Sequence, residues 1–485
     1  MSNDFCFVGN IIKMKPMQRS QKIISFICTI LMVSCQSINE TTSNTLSPIE
    51  AVKKTPTQKT FDEDIQEEVG SKVESERIPQ GLEIEFWHPW AGEKAEMVEE
   101  LVDTFNRENP WAIEIFDFSH ANQDVLIKDL TNAFMEKEHV PDLIVSTSQS
   151  LLAWHTEGYP IMQLDPLIIL DGKDSTKNAL PEILPVFWNV DVVDEERIGM
   201  PAYQSGQFLF YNKTWGNELG FEDFPKTIDA FKEQACAAAR SNLYDANLDN
   251  NGTGGWIYDN KGLSLLSWLR GFGGGELINT RSQPILTEPE NTNSLTFLYD
   301  LYLEDCAWTG KDPQPYAYFS NRFALFYSGQ MEDIIKQIRY DNANEKTDEW
   351  MVIPYPSIIG KPVVVVEGLS YAISTEKEEN STAAWKFIKW MLNPENQAVF
   401  LEETGTFPLS SDVIEQMEKN TDMYTVWKES LQYLPFAQTE PSFKEWYVLE
   451  KILEDVGWQL IQYTIRSEDI DAILENAEVM IREIE

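Results

Sequence analysis

Apolar and polar residues alternate through Leu82, Glu83, Ile84, Glu85 and Phe86, the period-2 pattern of a strand with one buried face. This segment runs into Trp87-His88-Pro89-Trp90-Ala91-Gly92, after which the period changes. Met97, Val98, Leu101 and Phe105 fall on one helical face, and Asn109-Pro110 stops the helix. The rhythm repeats as a strand over 113–118, a helix over 125–136 with Leu126, Leu130, Ala133 and Phe134 on one side, and a strand over 142–145. Successive β-α-β units predict an α/β fold with a mainly parallel sheet covered by helices. Ligands are then expected in the crevice beyond the carboxyl ends of the strands, where the loops 87–92 and 146–149 are placed.

Farther along, 199–212 reads as a long extended segment that crosses out of the first lobe, and a helix over 227–240 opens another. Strands are expected at 324–327 and 361–366, and helices at 382–392 and 445–463. No internal repeat is visible. At 485 residues the chain exceeds a single compact core, at roughly 100–200 residues per domain, so two lobes or more are expected.

The first 35 residues differ in kind. Lys13, Lys15, Arg19 and Lys22 precede an apolar run over 24–33 that is short for a membrane span and has the layout of a signal peptide. It ends in Leu31-Met32-Val33-Ser34-Cys35, which resembles the bacterial lipobox, with Met32 where that motif usually has Leu. Cys35 is the expected lipidation site and mature N-terminus, with plain secretion as the alternative, and Met14 or Met17 as other starting residues. From 36 to 80 the chain is rich in Ser, Thr, Glu and Lys without apolar periodicity, the composition of a flexible linker.

Charge narrows the partners. With 38 basic and 79 acidic residues the net charge is −41, a field that repels phosphate backbones and suits a solvated acidic surface, so no nucleic-acid partner is expected. Of the five cysteines, Cys6 and Cys28 belong to the signal and Cys35 to the anchor. Cys236 and Cys306 remain as an even pair outside the cytoplasm, expected to form a disulfide, with two separate buried thiols as the other reading.

Several landmarks occur in an order that carries a resemblance. They are Phe86-Trp87-His88-Pro89-Trp90, Pro141-Asp142-Leu143-Ile144-Val145, the segment from Pro201 to Asn212, Gly254-Gly255-Trp256, Glu367-Gly368-Leu369-Ser370-Tyr371-Ala372-Ile373 and Ala383-Ala384-Trp385-Lys386-Phe387-Ile388. From about Gly81 to the C-terminus the chain resembles extracellular solute-binding protein family 1, the sugar-binding lipoproteins of ABC importers. The resemblance implies a two-lobed periplasmic-binding-protein-like fold of type II, its lobes joined by crossover strands around a central cleft. Lobe one would hold about 81–203 and 370–425, and lobe two about 208–365 and 430–485. It implies a monomeric receptor that closes on a small molecule, a carbohydrate, and hands it to ABC permease subunits, from the periplasm or from the outer face of the plasma membrane.

A sugar offers hydroxyls that need polar partners and C–H faces that pack on aromatic rings. Strand-end positions with that chemistry are His88 and Trp90, Ser148 and Gln149, Tyr203 and Gln204, and Gln330. Glu367 is a candidate hydroxyl acceptor at a crossover. Trp268 and Trp446 stand near regions where the maltose-binding branch of the family places aromatic contacts, with core packing as the competing role.

No cofactor, metal or catalytic residue is expected. The four histidines, His88, His120, His139 and His155, lack metal-ligand spacing, and nucleophile-elbow, Walker and Rossmann patterns are absent. Asp245 to Gly252 has oxygen side chains at alternate positions, like the start of a calcium loop. Asn250 and Trp256 stand where such a loop needs glycine and glutamate, which favours a polar turn. The remaining alternatives are an extracellular carbohydrate-active enzyme with paired carboxylates and a tethered adhesion or scaffold lipoprotein.

Overall fold

The computed structural model describes residues 81–172, 180–279, 283–312, 314–419 and 424–483. The expected signal peptide, Cys35 and the linker over 36–80 lie outside the described residues. Among the described residues, no helix is long and apolar enough to cross a membrane.

The chain opens with β1 (Glu83–His88), α1 (Glu93–Glu108), β2 (Glu114–Ser119), α2 (Gln123–Glu136), β3 (Leu143–Ser146) and α3 (Ser148–Thr156). β1 pairs in parallel with β2 and with β3, as the alternation predicts. α1 buries Met97, Val98, Leu101, Val102 and Phe105. It stops at Asn109, whose side chain accepts from Ile113 N at 2.9 Å and donates to Ile113 O at 2.8 Å, fixing the turn into β2. Asn122 caps α2 by accepting from Val125 N at 3.0 Å.

The next strands are β4 (Met200–Asn212), β5 (Gly254–Ile257), β6 (Ala307–Trp308), β7 (Ala324–Gln330), β8 (Trp350–Ile353), β9 (Val364–Ile373) and β10 (Ala437–Thr439). The hydrogen-bonded order is β2-β1-β3-β9-β4-β7-β5-β6, with β8 also on β4 and β10 also on β9. β4 is buried at every one of its 13 positions. Its first half pairs antiparallel with β9, while Gln207 to Asn212 pair with β7 and β8. One strand therefore belongs to two sheets.

Two large apolar cores accompany them. Ile84, Phe86, Leu101, Phe105, Tyr371 and Phe387 belong to one, and Phe231, Trp256, Trp268, Tyr355, Trp446 and Leu453 to the other. The helices α4 (Ile228–Tyr244), α5 (Gly262–Gly271) and α7 (Trp446–Leu460) bury residues in the second, and α6 (Glu378–Met391) in the first. The fold is α/β and two-lobed.

Cys236 on α4 and Cys306 beside β6 are joined by a disulfide, their Cα atoms 4.4 Å apart across 70 residues of sequence. The Gly254-Gly255-Trp256 landmark belongs to the same packing. Gly254 has φ of 125°, and a Cβ on Gly255 would stand 1.9 Å from the Cys306 carbonyl oxygen, so β5 approaches its neighbours by lacking side chains there.

Local geometry corrects three expectations. The 146–149 segment is not a loop, because Thr147 accepts from Ser150 N and starts α3 at Ser148. The expected strand over 361–366 continues to Ile373, so Glu367 is a mid-strand residue. β7 extends to Gln330, beyond the expected end at 327.

Candidate ligand-binding cleft

A cavity of about 630 Å³ opens where β1, β4, β9 and the segment after β10 meet, within the roughly 300–1,000 Å³ of small-molecule sites. β1 delivers Trp90, the N-terminus of α3 delivers Gln149, and β4 delivers Tyr203. β7 ends at Gln330, β9 presents Glu367, and Trp446 opens α7; all six line the cavity.

Trp90 is 4% exposed, set edge-on to Phe400 with ring centroids 5.3 Å apart. Ser119 Oγ donates to its carbonyl at 2.6 Å, which holds the loop. Its own Nε1 has no hydrogen-bond partner among the described residues. Trp446 is buried and donates from Nε1 to Glu440 Oε2 at 2.7 Å. Glu440 follows β10 directly, and its N–H donates to Val366 O at 2.9 Å, which ties it to β9. Gln149 Nε2 donates to Pro441 O at 2.9 Å, reaching from α3 to this same segment.

Carboxylates dominate the electrostatics. Glu332 accepts from Tyr203 Oη and, at 2.6 Å, from Lys94 Nζ. Burial pushes its carboxyl up, but Lys94, Lys336 and the Tyr203 hydroxyl outweigh burial and hold it at about 2. Glu367 accepts from the Gln330 side-chain amide. Burial first, then the charges of Glu450 and Glu332, push Glu367 up to about 7. Glu440 is pushed up to about 8 by burial and then by Glu367 and Glu450, against the lowering hydrogen bond from Trp446. Glu450 on α7 is raised too, by burial above all. Such a set offers acceptors when ionised and donors when protonated, which suits polyhydroxylated ligands.

Four sequence-predicted residues stand elsewhere. His88 is fully buried on β1, its ring between Phe86 and Trp90 at 5.2 and 5.3 Å, so it supports Trp90 from behind. Ser148 is buried beside the Asp191 carboxyl, one helical step round from Gln149. Gln204 faces away from Tyr203 because neighbours on a strand point to opposite faces, and it packs where Gly368 leaves room. Trp268 belongs to the second core, edge-on to Phe231 at 4.8 Å and to Tyr355 at 5.2 Å. Lys94, Glu332, Glu440 and Glu450 line the cavity without a sequence signal of their own, as does Tyr447, whose hydroxyl donates to Asp124 Oδ1 at 3.2 Å. Tyr447 and Glu440 flank Trp446, so the segment around that tryptophan was the available clue.

Asp245 accepts from Asn247 N at 2.7 Å and from Asn250 Nδ2 at 2.9 Å, the bonding of a polar turn. Among the described residues, one group of three His, Cys, Asp or Glu ligand atoms lies within 4.8 Å of one another, Cys236, Glu304 and Cys306. There both sulfurs are spent in the disulfide.

A family model described as bacterial extracellular solute-binding protein matches residues 100–426. Among characterised relatives, the maltotriose-binding protein of Pyrococcus abyssi is 26% identical over 223 residues, which are 44% of this chain and 44% of that protein. Among solved structures, the sugar-binding protein MalE of Xanthomonas citri superposes with a TM-score of 0.69 at 18% identity, covering 83% of this chain and 98% of that one. UgpB of Mycobacterium tuberculosis, in complex with glycerophosphocholine, superposes with a TM-score of 0.67 at 17% identity, covering 83% and 99%.

Proposed function

The chain belongs to the bacterial extracellular solute-binding proteins, and from that premise we propose that it is the receptor of an ABC importer that captures a carbohydrate in the cleft and delivers it to the permease. One observation carries the reading. Tyr203 from β4, Glu367 from β9 and Glu440 just past β10 bring polar groups to a single cavity that also holds Trp90 and Trp446. Hydroxyls find carboxylates and amides there, and C–H faces find rings. The maltotriose named for the Pyrococcus relative and the sugars named for several structural neighbours point the same way.

On this reading lobe one comprises about 81–203 and 370–425, and lobe two about 208–365 and 430–485, hinged at β4, β9 and the segment between about 425 and 430. Ligand bonded to both walls favours the closed form by its differential affinity, and the permease reads that form. Trp90, Gln149, Tyr203, Gln330, Glu367 and Trp446 are among the residues that contact the ligand. Cys35 carries the lipid that holds the monomer at the membrane, and the chain turns over no substrate.

A thermal-shift and calorimetric screen of the purified protein against mono- and oligosaccharides tests this. Saturable stabilisation with the sugar recovered unchanged is the expected result. Release of hydrolysis products would make the protein an enzyme and overturn the proposal.

A further inference from the structure

A buried carboxylate stands behind the cleft wall without lining it. Asp191 is 4% exposed, and its Oδ2 accepts from Ser370 Oγ at 2.5 Å. The Ser148 hydroxyl lies beside the same carboxyl. Both serines are buried. Gly199, just before β4, leaves the room that the carboxyl fills, since a Cβ there would stand 3.0 Å from Asp191 Cγ. One side chain therefore meets α3, β9 and the entry of β4.

At each of those places a cavity residue is next in sequence or next in the sheet. Ser148 is the first residue of α3 and Gln149 the second. Gln149 Nε2 donates to Pro441 O at 2.9 Å, and its amide also meets the Glu440 carboxyl. Ser370 follows Leu369, and between these two the pairing of β9 with β4 shifts: Leu369 is opposite Tyr203 and Ser370 opposite Pro201, which leaves Ala202 as an extra residue. A bulge of this kind re-aims the side chains beside it. Here those are Tyr203 and Leu369, both on the cavity wall. Successive residues point about 100° apart around a helix and to opposite faces of a strand, so a slip at either place turns Gln149 or Tyr203 off the wall.

The loop that carries Asp191 is itself braced. Arg197, 3% exposed, lies over the Trp188 ring at 3.8 Å and donates to Trp188 O, to Val190 O at 3.1 Å and to Gly199 O at 3.3 Å. This fixes the chain on the approach to Asp191 and at the start of β4. Asp191 holds φ of 61°, the left-handed region that a non-glycine residue enters at a cost and keeps only where its surroundings enforce it. Burial raises its carboxyl, while the two serine hydroxyls and the Arg197 charge act the other way.

We propose that Asp191 is a positioning residue of the ligand cleft, setting the direction of Gln149 through Ser148 and the bulge that aims Tyr203 and Leu369 through Ser370. This rests on the ligand-binding reading of the cleft and deepens it. Asp191 touches no ligand, so its removal changes affinity through the residues that do.

The test is calorimetry with the tightest member of the saccharide panel on the whole exported chain and its D191A, Q149A and D191A/Q149A variants, each well below its melting temperature. D191A is expected to weaken binding at least tenfold with unchanged stoichiometry. In the Q149A background the same change is expected to cost at least threefold less, because one of the residues it positions is gone. S148A, which removes a single hydroxyl, is expected to weaken binding several-fold, and it takes the place of D191A in the cycle if D191A does not fold. If the variants melt earlier but bind within threefold of the unaltered protein, or if the losses at Asp191 and Gln149 simply multiply, the ligand-binding reading stands and the positioning inference falls. If no saccharide of the panel binds the unaltered protein, both fall.

Discussion

Trp446 donates its indole N–H to Glu440 Oε2 at 2.7 Å, joining the first turn of α7 to the residue that follows β10 and lines the same cavity. That bond acts against the burial that raises the Glu440 carboxyl. Trp446→Phe keeps most of the buried ring and removes the donor. It is expected to destabilise the protein by about 1–3 kcal/mol, the range for hydrogen bonds to charged groups. The loss should be larger at pH 9, where Glu440 is ionised, than at pH 5, where it is not. Urea titrations at the two pH values check this; equal losses would assign the effect to packing alone.

Ligand-free stability is expected to fall as pH rises from about 5 to about 8. Glu367 and Glu440, raised to about 7 and about 8, hold protons in the folded state that the unfolded chain has released. The native state therefore binds more protons across that window, and the stability it gains below the unfolded pKa is lost as pH climbs through the folded values. Glu332, held at about 2, acts in the opposite sense, and its contribution is lost as pH falls from the ordinary carboxylate range through about 2. The double variant E367Q/E440Q should flatten the slope between pH 5 and 8 and leave the acid limb in place, as read by melting temperature.

Tyr447 and Trp268 separate binding from folding. Tyr447 is 41% exposed at the cavity and bonds across it to Asp124. Tyr447→Ala is expected to weaken ligand binding about tenfold and to change stability by less than about 1 kcal/mol. Trp268 has no exposed surface and packs among Phe231, Trp256, Phe297 and Tyr355. Trp268→Ala is expected to cost about 3–5 kcal/mol. Isothermal titration and chemical denaturation on each variant give the two readouts.

The Cys236–Cys306 disulfide closes 70 residues. Replacing both cysteines by serine is expected to cost about 2–4 kcal/mol, chiefly by freeing the unfolded chain. Reduction with dithiothreitol should lower the melting temperature of the native protein and not that of the double serine variant.

Local patterns were legible where the deciding interactions are local. The face of Met97, Val98, Leu101 and Phe105, the stop at Asn109-Pro110 and the alternation of Leu82 to Phe86 specify their elements within a few residues. Strand-end reasoning also brought Trp90, Gln149, Tyr203 and Gln330 to the cavity wall, as the crossover argument did Glu367. It failed at Gln204 because strand position does not say which of two opposite faces looks into the cleft, and at His88 because its ring, on the same side as Trp90, is covered by Phe86 and Trp90. Trp268 misled because a tryptophan on an apolar helix reads the same whether it meets a ligand or Phe231. Glu332, Glu440 and Glu450 were hidden among 79 acidic residues. What sets them apart is which charges and how much protein surround them, and partners as distant in sequence as Lys94 and Glu332 leave no local trace.

β4 has a further consequence. Gly206 sits midway along it, where a Cβ would stand 2.7 Å from the Phe407 ring and 2.8 Å from the Phe208 ring, and every residue of the strand is buried. A connection of this kind behaves as a torsion bar clamped at both ends and packed along its length. Bending is expected to be shared as small changes over the paired peptide units, with the register shift beside Leu369 and Ser370 as the one irregular step in its pairing with β9. Under the proposed closure the lobes swing without unzipping, and backbone amides near Gly206 should be among the slowest in the protein to exchange with deuterium.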